Sequence, residues 1–210
     1  MTAAAARSNR DAGAISIVVV TKYASLTGVR ELIASGRVLE VGENRVQDAA
    51  QKKLELGPLA DRVRWRLIGH LQTNKAKKAV QTFDAIDSVD SLKLAAALDA
   101  AMTGSDRKLP VMIQVKLSES ETQSGVGPNE LPGLIEEVRR RHRLELQGLM
   151  GIAPNVEPLD AVRPSFKLLR ELRDKHLPGG KLSMGMSRDF EVAIEEGADL
   201  VRIGTQIFAT

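Results

Sequence analysis

Short apolar runs alternate with amphipathic stretches along the whole 210-residue chain. Runs of strand length rich in β-branched residues occur as SIVVVTK (16–22), VLEVGEN (38–44), RWRLIGH (64–70), DAIDSVD (84–90), PVMIQVKL (110–117), LELQGLM (144–150), KLSMGMS (181–187) and LVRIGTQIF (200–208). The stretches between them, such as LTGVRELIAS, RVQDAAQKKLEL, SLKLAAALDAAM and DFEVAIEEG, repeat their apolar positions with a helical period. Eight such units at roughly 25-residue spacing predict parallel strands with right-handed crossovers, closed into a (β/α)8 barrel rather than an open doubly wound sheet. No linker or composition shift interrupts them, so one domain over 1–210 is expected. No helical pattern follows the eighth run, and the alanine-rich start MTAAAAR is the segment expected to cover that gap. The polar stretch SESETQSGVGPNE (118–130) reads as a surface excursion where the strands end.

Composition narrows the function classes. Hydrophobic residues make up 43% of the chain, enough for a substantial core, and no apolar run reaches the roughly 18 residues of a membrane span. The N-terminus lacks the apolar segment of a signal peptide, which predicts a cytoplasmic protein without a membrane partner. There is no cysteine, so disulfides, thiolate catalysis and cysteine metal sites are excluded, and three scattered histidines argue against a histidine metal centre. The pI is near 9.3, but 30 basic residues face 27 acidic ones, a net charge of only +3. The densest basic run, RRRHR at 139–143, reads as a solvated helix end more readily than as a phosphate-backbone site. Aromatics at 3% offer no stacking platform, so nucleic acid is not an expected partner.

In a barrel of this kind chemistry concentrates where strands meet their following loops. Those positions hold Lys22, the GEN of residues 42–44, the GHLQ of 69–72, Lys116, a glycine-containing turn after the sixth strand, SMGMS (183–187) and RIGT (202–205). Glycines recur there, as close approach of backbone to a ligand requires. Ser187 precedes a helical pattern and Gly204 ends the neighbouring strand; together they suggest an anion corner of the kind that binds phosphate in barrels. Each alone has a plainer role, Ser187 or Asp189 as an N-cap and Gly204 as a turn glycine. Strand alternation puts Val18, Val20 and Lys22 on one face, aiming the lysine at the barrel mouth. A partly desolvated amine there is a nucleophile for carbonyls, with Schiff-base formation its natural chemistry, although a lysine at a strand end also snorkels to solvent. Arg202 shares the parity of Gly204 and points inward, either to an ion pair with Glu40 or Asp87 or to a heteroaromatic ring nitrogen, which would then stay unprotonated.

The combination VVTK, EVGENRVQDA, WRLIGHLQTNK, DAIDSVDSLKLA, QSGV, LQGLMGI and LSMGMSRDFEVAIEEGADLVRIGTQIF resembles the pyridoxal phosphate homeostasis protein family, the single-domain relative of the alanine racemase barrel, over nearly the whole chain. The resemblance implies a fold-type III barrel that binds pyridoxal 5′-phosphate (PLP), with Lys22 as the Schiff-base lysine. It further implies that Ser187 and the amides of Gly204 and Thr205 hold the phosphate, with Arg202 opposite the pyridine nitrogen. Asn44 and His70 fall at family pocket positions, and Met184 is a candidate for packing near the ring, or else ordinary barrel filling. Lys116, Glu119, Gln123 and Arg188 depart from the family pattern at the loop rim, and the N-terminal helix is shorter than is usual in relatives.

A racemase of this fold needs a second base across the ring from its lysine. Tyr23 is the only tyrosine, and it points away from Lys22 if the strand continues through it. Arg202 would keep the ring a weak electron sink. The chain is therefore expected to buffer and deliver PLP, with consequences for vitamin B6 and amino-acid pools and little or no turnover. Contact with PLP-dependent apoenzymes is expected to be transient and the protein a monomer. The alternatives are a weak amino-acid racemase and a class I aldolase using Lys22.

Overall fold

The β-branched runs form strands as far as both faces are covered, and they stop where the polar rim begins. In the computed structural model, which describes residues 1–118 and 123–208, the strands are β1 (Ser16–Val20), β2 (Glu40–Glu43), β3 (Arg64–Leu67), β4 (Ala85–Val89), β5 (Leu109–Val115), β6 (Leu144–Gly151), β7 (Lys181–Met186) and β8 (Leu200–Ile203). The helices are α1 (Thr2–Arg7), α2 (Leu26–Ala34), α3 (Val46–Leu56), α4 (Ala76–Thr82), α5 (Leu92–Ala101), α6 (Leu131–Arg140), α7 (Arg163–His176), α8 (Phe190–Glu195) and α9 (Thr205–Phe208). Each strand pairs in parallel with the next and β8 pairs with β1, which closes a (β/α)8 barrel in sequence order.

Strand parity divides the core in two. Inward-facing Val18, Met112, Met150 and Leu200 form a small apolar plug. The larger core lies between strands and helices and contains Trp65, Phe83, Ile86 and Phe166, all fully buried. The barrel interior also holds a charge cluster. Arg66 donates from Nε and Nη2 to the two carboxylate oxygens of Asp87, at 2.8 and 2.7 Å, and from Nη1 to Glu40 Oε2 at 3.1 Å. Burial alone would lower the pKa of Arg66, but the two carboxylates carry it above its ordinary value, so the buried cation is fully matched.

Two expectations change at the chain's ends. The eighth run spans 200–208 in the sequence pattern, with Gly204 marking a strand end and no helix predicted beyond it. Instead β8 stops at Ile203, opposite Val19 near the end of β1, and the chain turns into α9, with Ile207 N and Phe208 N donating to Gly204 O. A strand without a partner on that side has no ladder to extend, so the amides close a helical turn. The alanine-rich start does form a helix: α1 buries Ala4 and Ala5 and lies on α8, where Arg7 donates to Glu195 Oε1 and Glu191 Oε2, each at 2.6 Å. Arg10 then donates to Ile194 O, in the last turn of α8, at 3.2 Å and to Ala198 O, beyond its end, at 2.6 Å.

Several flagged surface residues have plain structural partners. Within the basic run Arg141 pairs with Glu137 at 2.5 Å and Arg143 with Asp99 at 3.4 Å, so these cations are matched by carboxylates of the chain itself. Gln123 takes the Ser118 hydroxyl on its Oε1 at 2.7 Å and donates to Ile152 O at 2.6 Å, tying the polar excursion to the end of β6. Glu119 lies outside the described residues. Among the described residues no helix is long and apolar enough to cross a membrane.

Candidate functional site

The first strand delivers two side chains to the mouth rather than one. The β1 ladder ends at Val20; Thr21 N still donates to Gly42 O, and the chain then turns tightly, with Ala24 N donating to Thr21 O at 3.1 Å. The turn breaks strand alternation, so Tyr23 does not point away from Lys22 as continued extension would require. The ammonium of Lys22 sits 4.8 Å from the centroid of the Tyr23 ring, which is 89% exposed, and both residues line one cleft.

The opposite wall comes from β7 and β8. Gly185 adopts φ +88°, and a side chain there would meet Ala193 Cβ at 2.5 Å, so only glycine fits between the strand and α8. The conformation forms a bulge: Ser183 pairs with Leu200, but Met186 pairs with Arg202, three residues against two. The extra residue re-aims everything after it. Met186 and Ser187 therefore face the cleft, while Met184, fully buried, packs in the shell between strands and helices. Met184 is thus neither near the cleft nor inside the barrel, and Met186 occupies the place expected for it.

Ser187 is not an N-cap. The N-cap position of α8 belongs to Asp189, and even its carboxylate turns back to accept from Met186 N at 2.6 Å instead of capping the helix. Gly204 N donates to the Ser187 hydroxyl oxygen at 3.4 Å, and Ser187 O accepts from Gln206 Nε2 at 2.9 Å. Gly204 is required by crowding: a Cβ would lie 2.9 Å from Val20 O. The serine of one unit and the glycine amide of the next thus meet at a corner built against the end of β1.

Arg202 forms the floor, 3% exposed. Neither ion pair considered for it forms, because Arg66 holds both Glu40 and Asp87. Its donors go to neutral oxygens: Nη1 to Ser183 O at 2.8 Å and Ser183 Oγ at 2.9 Å, and Nη2 to Gly151 O at 2.8 Å. Burial pushes its pKa down to about 10, with the nearby Asp87 and Asp189 offsetting part of the shift. At neutral pH it remains a guanidinium, positioned by dipoles and left without a counter-ion of its own.

Lys22, Ser187, Arg202, Gly204 and Thr205 converge on one cleft of about 640 Å³, within the range of small-molecule sites, roughly 300–1,000 Å³. Asn44 and His70 do not line it. Asn44 is half-buried at the end of β2, and His70 is exposed, with Nδ1 3.1 Å from Asp90 Oδ2. The sixth strand end was singled out for its glycines at 148–151, which lie within β6 itself; the residues that reach the rim are the next ones along, Ala153, Asn155 and Val156 of the loop that follows. Arg188, from the β7 side, clasps that loop through Asn155 and Glu157. No motif marks the segment, and only its place after the sixth strand could have nominated it.

The residues fit a phosphorylated aldehyde with a heteroaromatic ring: a primary amine on one wall, a hydroxyl and glycine amide on the other, and a buried guanidinium without a counter-ion between them. The family model of the alanine racemase N-terminal domain matches residues 4–210. The pyridoxal phosphate homeostasis protein of Pseudomonas aeruginosa is 39% identical over 206 residues, covering 98% of this chain and 88% of that protein. Its namesake in Aquifex aeolicus is 42% identical over 172 residues, 80% of this chain and 75% of the other. PipY of Synechococcus elongatus, solved with PLP bound, superposes with a TM-score of 0.83 at 35% identity, covering 99% of this chain and 98% of PipY. An alanine racemase of Clostridium difficile has a TM-score of 0.71 at 15% identity over 93% of this chain and 51% of its own, a likeness of fold alone.

Proposed function

This chain belongs to the pyridoxal phosphate homeostasis protein family, and from that premise we propose that it binds PLP reversibly through Lys22 and releases it to other proteins, with little or no turnover of its own. The observation that carries the reading is the sharing of one cleft by the Lys22 amine and the Ser187–Gly204 corner. When bound, PLP supplies an aldehyde that condenses reversibly with an amine and a ring able to accept electron density. Lys22 provides the amine. Ser187 and the amides at Gly204 and Thr205 offer donors for the phosphate. Arg202 cannot surrender its proton at neutral pH, so a ring nitrogen facing it stays unprotonated and the ring withdraws little charge. Asn44 and His70, at the same end of the barrel but outside the cleft, are assigned to the approach rather than to the hold.

Tyr23 reopens the question of racemisation, since it lines the same cleft as Lys22. A two-base racemase needs its acids and bases on opposite faces of the substrate, whereas Lys22 and Tyr23 rise from one turn and touch each other. Together with Arg202 this favours a carrier over a racemase; that it works as a cytoplasmic monomer and meets its apoenzymes transiently is part of the same proposal.

The test is the visible spectrum of the protein with PLP, followed by borohydride reduction and peptide mapping. A pyridoxyl group trapped on Lys22, its loss in Lys22→Ala, and no racemisation of amino acids by the loaded protein are expected. Label scattered over surface lysines would end the cofactor reading, and racemisation that disappears with Lys22→Ala would make the protein an enzyme.

A further inference from the structure

Behind the turn that carries Lys22 lies a polar cluster on the outer side of the barrel, facing α3 rather than the cleft. Glu43, the last residue of β2, is fully buried. Its Oε1 accepts from the Thr21 hydroxyl at 2.6 Å and from Lys52 Nζ at 2.5 Å, while its Oε2 is buried with no partner. Lys52, in the second turn of α3, also donates to Thr21 O at 2.5 Å, and its side chain is only 16% exposed. A buried carboxylate with one oxygen unsatisfied is a costly arrangement to maintain. Apolar side chains could fill this space between strand and helix, so packing alone does not call for it.

The location suggests what the cluster does. Among the described residues Lys22 and Tyr23 make no side-chain hydrogen bond, so the hydrogen bonds that fasten the turn all run through Thr21, with Ala24 packed against the core beside it. Thr21 is held by Gly42 O on its amide, Glu43 on its hydroxyl, and Lys52 and Ala24 N on its carbonyl. That carbonyl belongs to the peptide bond leading into Lys22. Lys52 therefore grips the peptide plane from which the Lys22 side chain departs, and it neutralises the carboxylate that holds the adjacent hydroxyl.

We infer that Lys52 is the positioning residue for Lys22: acting through the Thr21 carbonyl and the Glu43 carboxylate, it fixes the turn so that the Lys22 amine is presented to an aldehyde in the cleft. The inference rests on Lys22 being the attachment point for PLP. Nothing in it requires Lys52 to touch the cofactor.

The experiment uses the full chain and three variants: Lys52→Met, Lys52→Arg, and the double variant Lys52→Met with Glu43→Gln, which leaves no unpaired buried charge and so separates positioning from folding. Two quantities are read: the rate at which PLP is trapped on Lys22 by borohydride, and the hydrogen exchange of the Thr21 and Ala24 amides, which donate to Gly42 O and Thr21 O, without cofactor. Because small misplacements of a reacting group are costly, trapping should slow at least about tenfold in Lys52→Met and in the double variant. Exchange at the turn should speed up in both as its tether is lost. Lys52→Arg keeps a cationic donor and should stay within about threefold of the parent in trapping. A folded double variant with parental trapping rate and parental exchange would overturn the inference. If the parent itself is not trapped on Lys22, the cofactor reading fails, and exchange alone then decides whether Lys52 fixes the turn.

Discussion

The two halves of the barrel mouth are built differently. On the β7–β8–β1 side the key cleft residues are held from behind: Arg202 by Ser183 and Gly151, Ser187 by its place beside the Gly204 amide, and the backbone of the Lys22 turn by Thr21. On the β2–β3 side His70 has a side chain 53% exposed and a single hydrogen bond to Asp90, and the Asn44 side chain has none among the described residues. Rigid presentation costs desolvation and backbone strain, which are warranted only where geometry must be exact to fractions of an ångström. The fixed half is suited to holding a small rigid ligand and the loose half to contacts that come and go. A protein that must release what it binds has use for both.

The strongest test of this contrast is crowding at Gly204. A methyl group there would press on Val20 O at 2.9 Å, and neither backbone can yield without moving the end of β1 or β8. Gly204→Ala is expected to cost about 1–3 kcal/mol of stability, as overpacking does. PLP affinity should fall at least tenfold, by fluorescence titration. If affinity falls no further than stability accounts for, the corner is structural and holds no phosphate. A smaller effect separates the halves directly. Ser187→Ala removes one donor to a charged phosphate, worth about 1.5 kcal/mol at the low end for such bonds, so affinity should drop by about tenfold. Asn44→Ala and His70→Ala should each change it by less than about twofold, as expected for side chains outside the cleft. Equal losses on both sides would dissolve the distinction.

The barrel is legible because strand and helix periods alternate through seven units, only the eighth run lacking a helical pattern after it; Lys22 and Arg202 are legible from strand parity, and Ser187 and Gly204 from their places before a helix and at a strand end. Parity also misled wherever the ladder was irregular. The bulge at Gly185 carried Met186 into the cleft, and the turn after Val20 brought Tyr23 beside Lys22; Met184, a candidate through the family resemblance, precedes the bulge and faces outward by ordinary alternation from Ser183. Neither break shows in hydrophobic period, since a bulge is a backbone event set by one glycine. The recurring glycines were read as room for a ligand, but at Gly69 and Gly148 a Cβ would strike Asn44 O at 2.3 Å and Lys181 O at 2.0 Å. There the crowding comes from the neighbouring strand end. Lys52 gave no signal because its partners lie 9 and 31 residues away in sequence, brought together by closure of the barrel.

The smallest expected effect lies away from the mouth, where α1, α7 and α8 are joined by ion pairs. Arg163 donates to Glu195 Oε2 at 2.8 Å and to Glu196 Oε1 at 3.0 Å, and Arg7 reaches Glu195 from the other side. The hydrogen bond from Arg163 and then that from Arg7 hold the Glu195 carboxyl below its ordinary pKa of 4.5. A carboxylate whose folded pKa is depressed contributes stability above the unfolded value, and that contribution is lost as pH falls through the folded value. Glu195→Gln should therefore lower the thermal midpoint slightly at pH 7, and the gap from the parent should close as pH falls below 4.5. The magnitude is small because these pairs lie at the surface, within reach of water and salt that screen them. PLP affinity should not change at any pH in this series, since the staple lies on the helical shell. A variant that loosened α8 enough to weaken PLP binding would instead tie the shell to the Ser187 corner, and the fixed half of the mouth would then extend through α8 to the N-terminal helix.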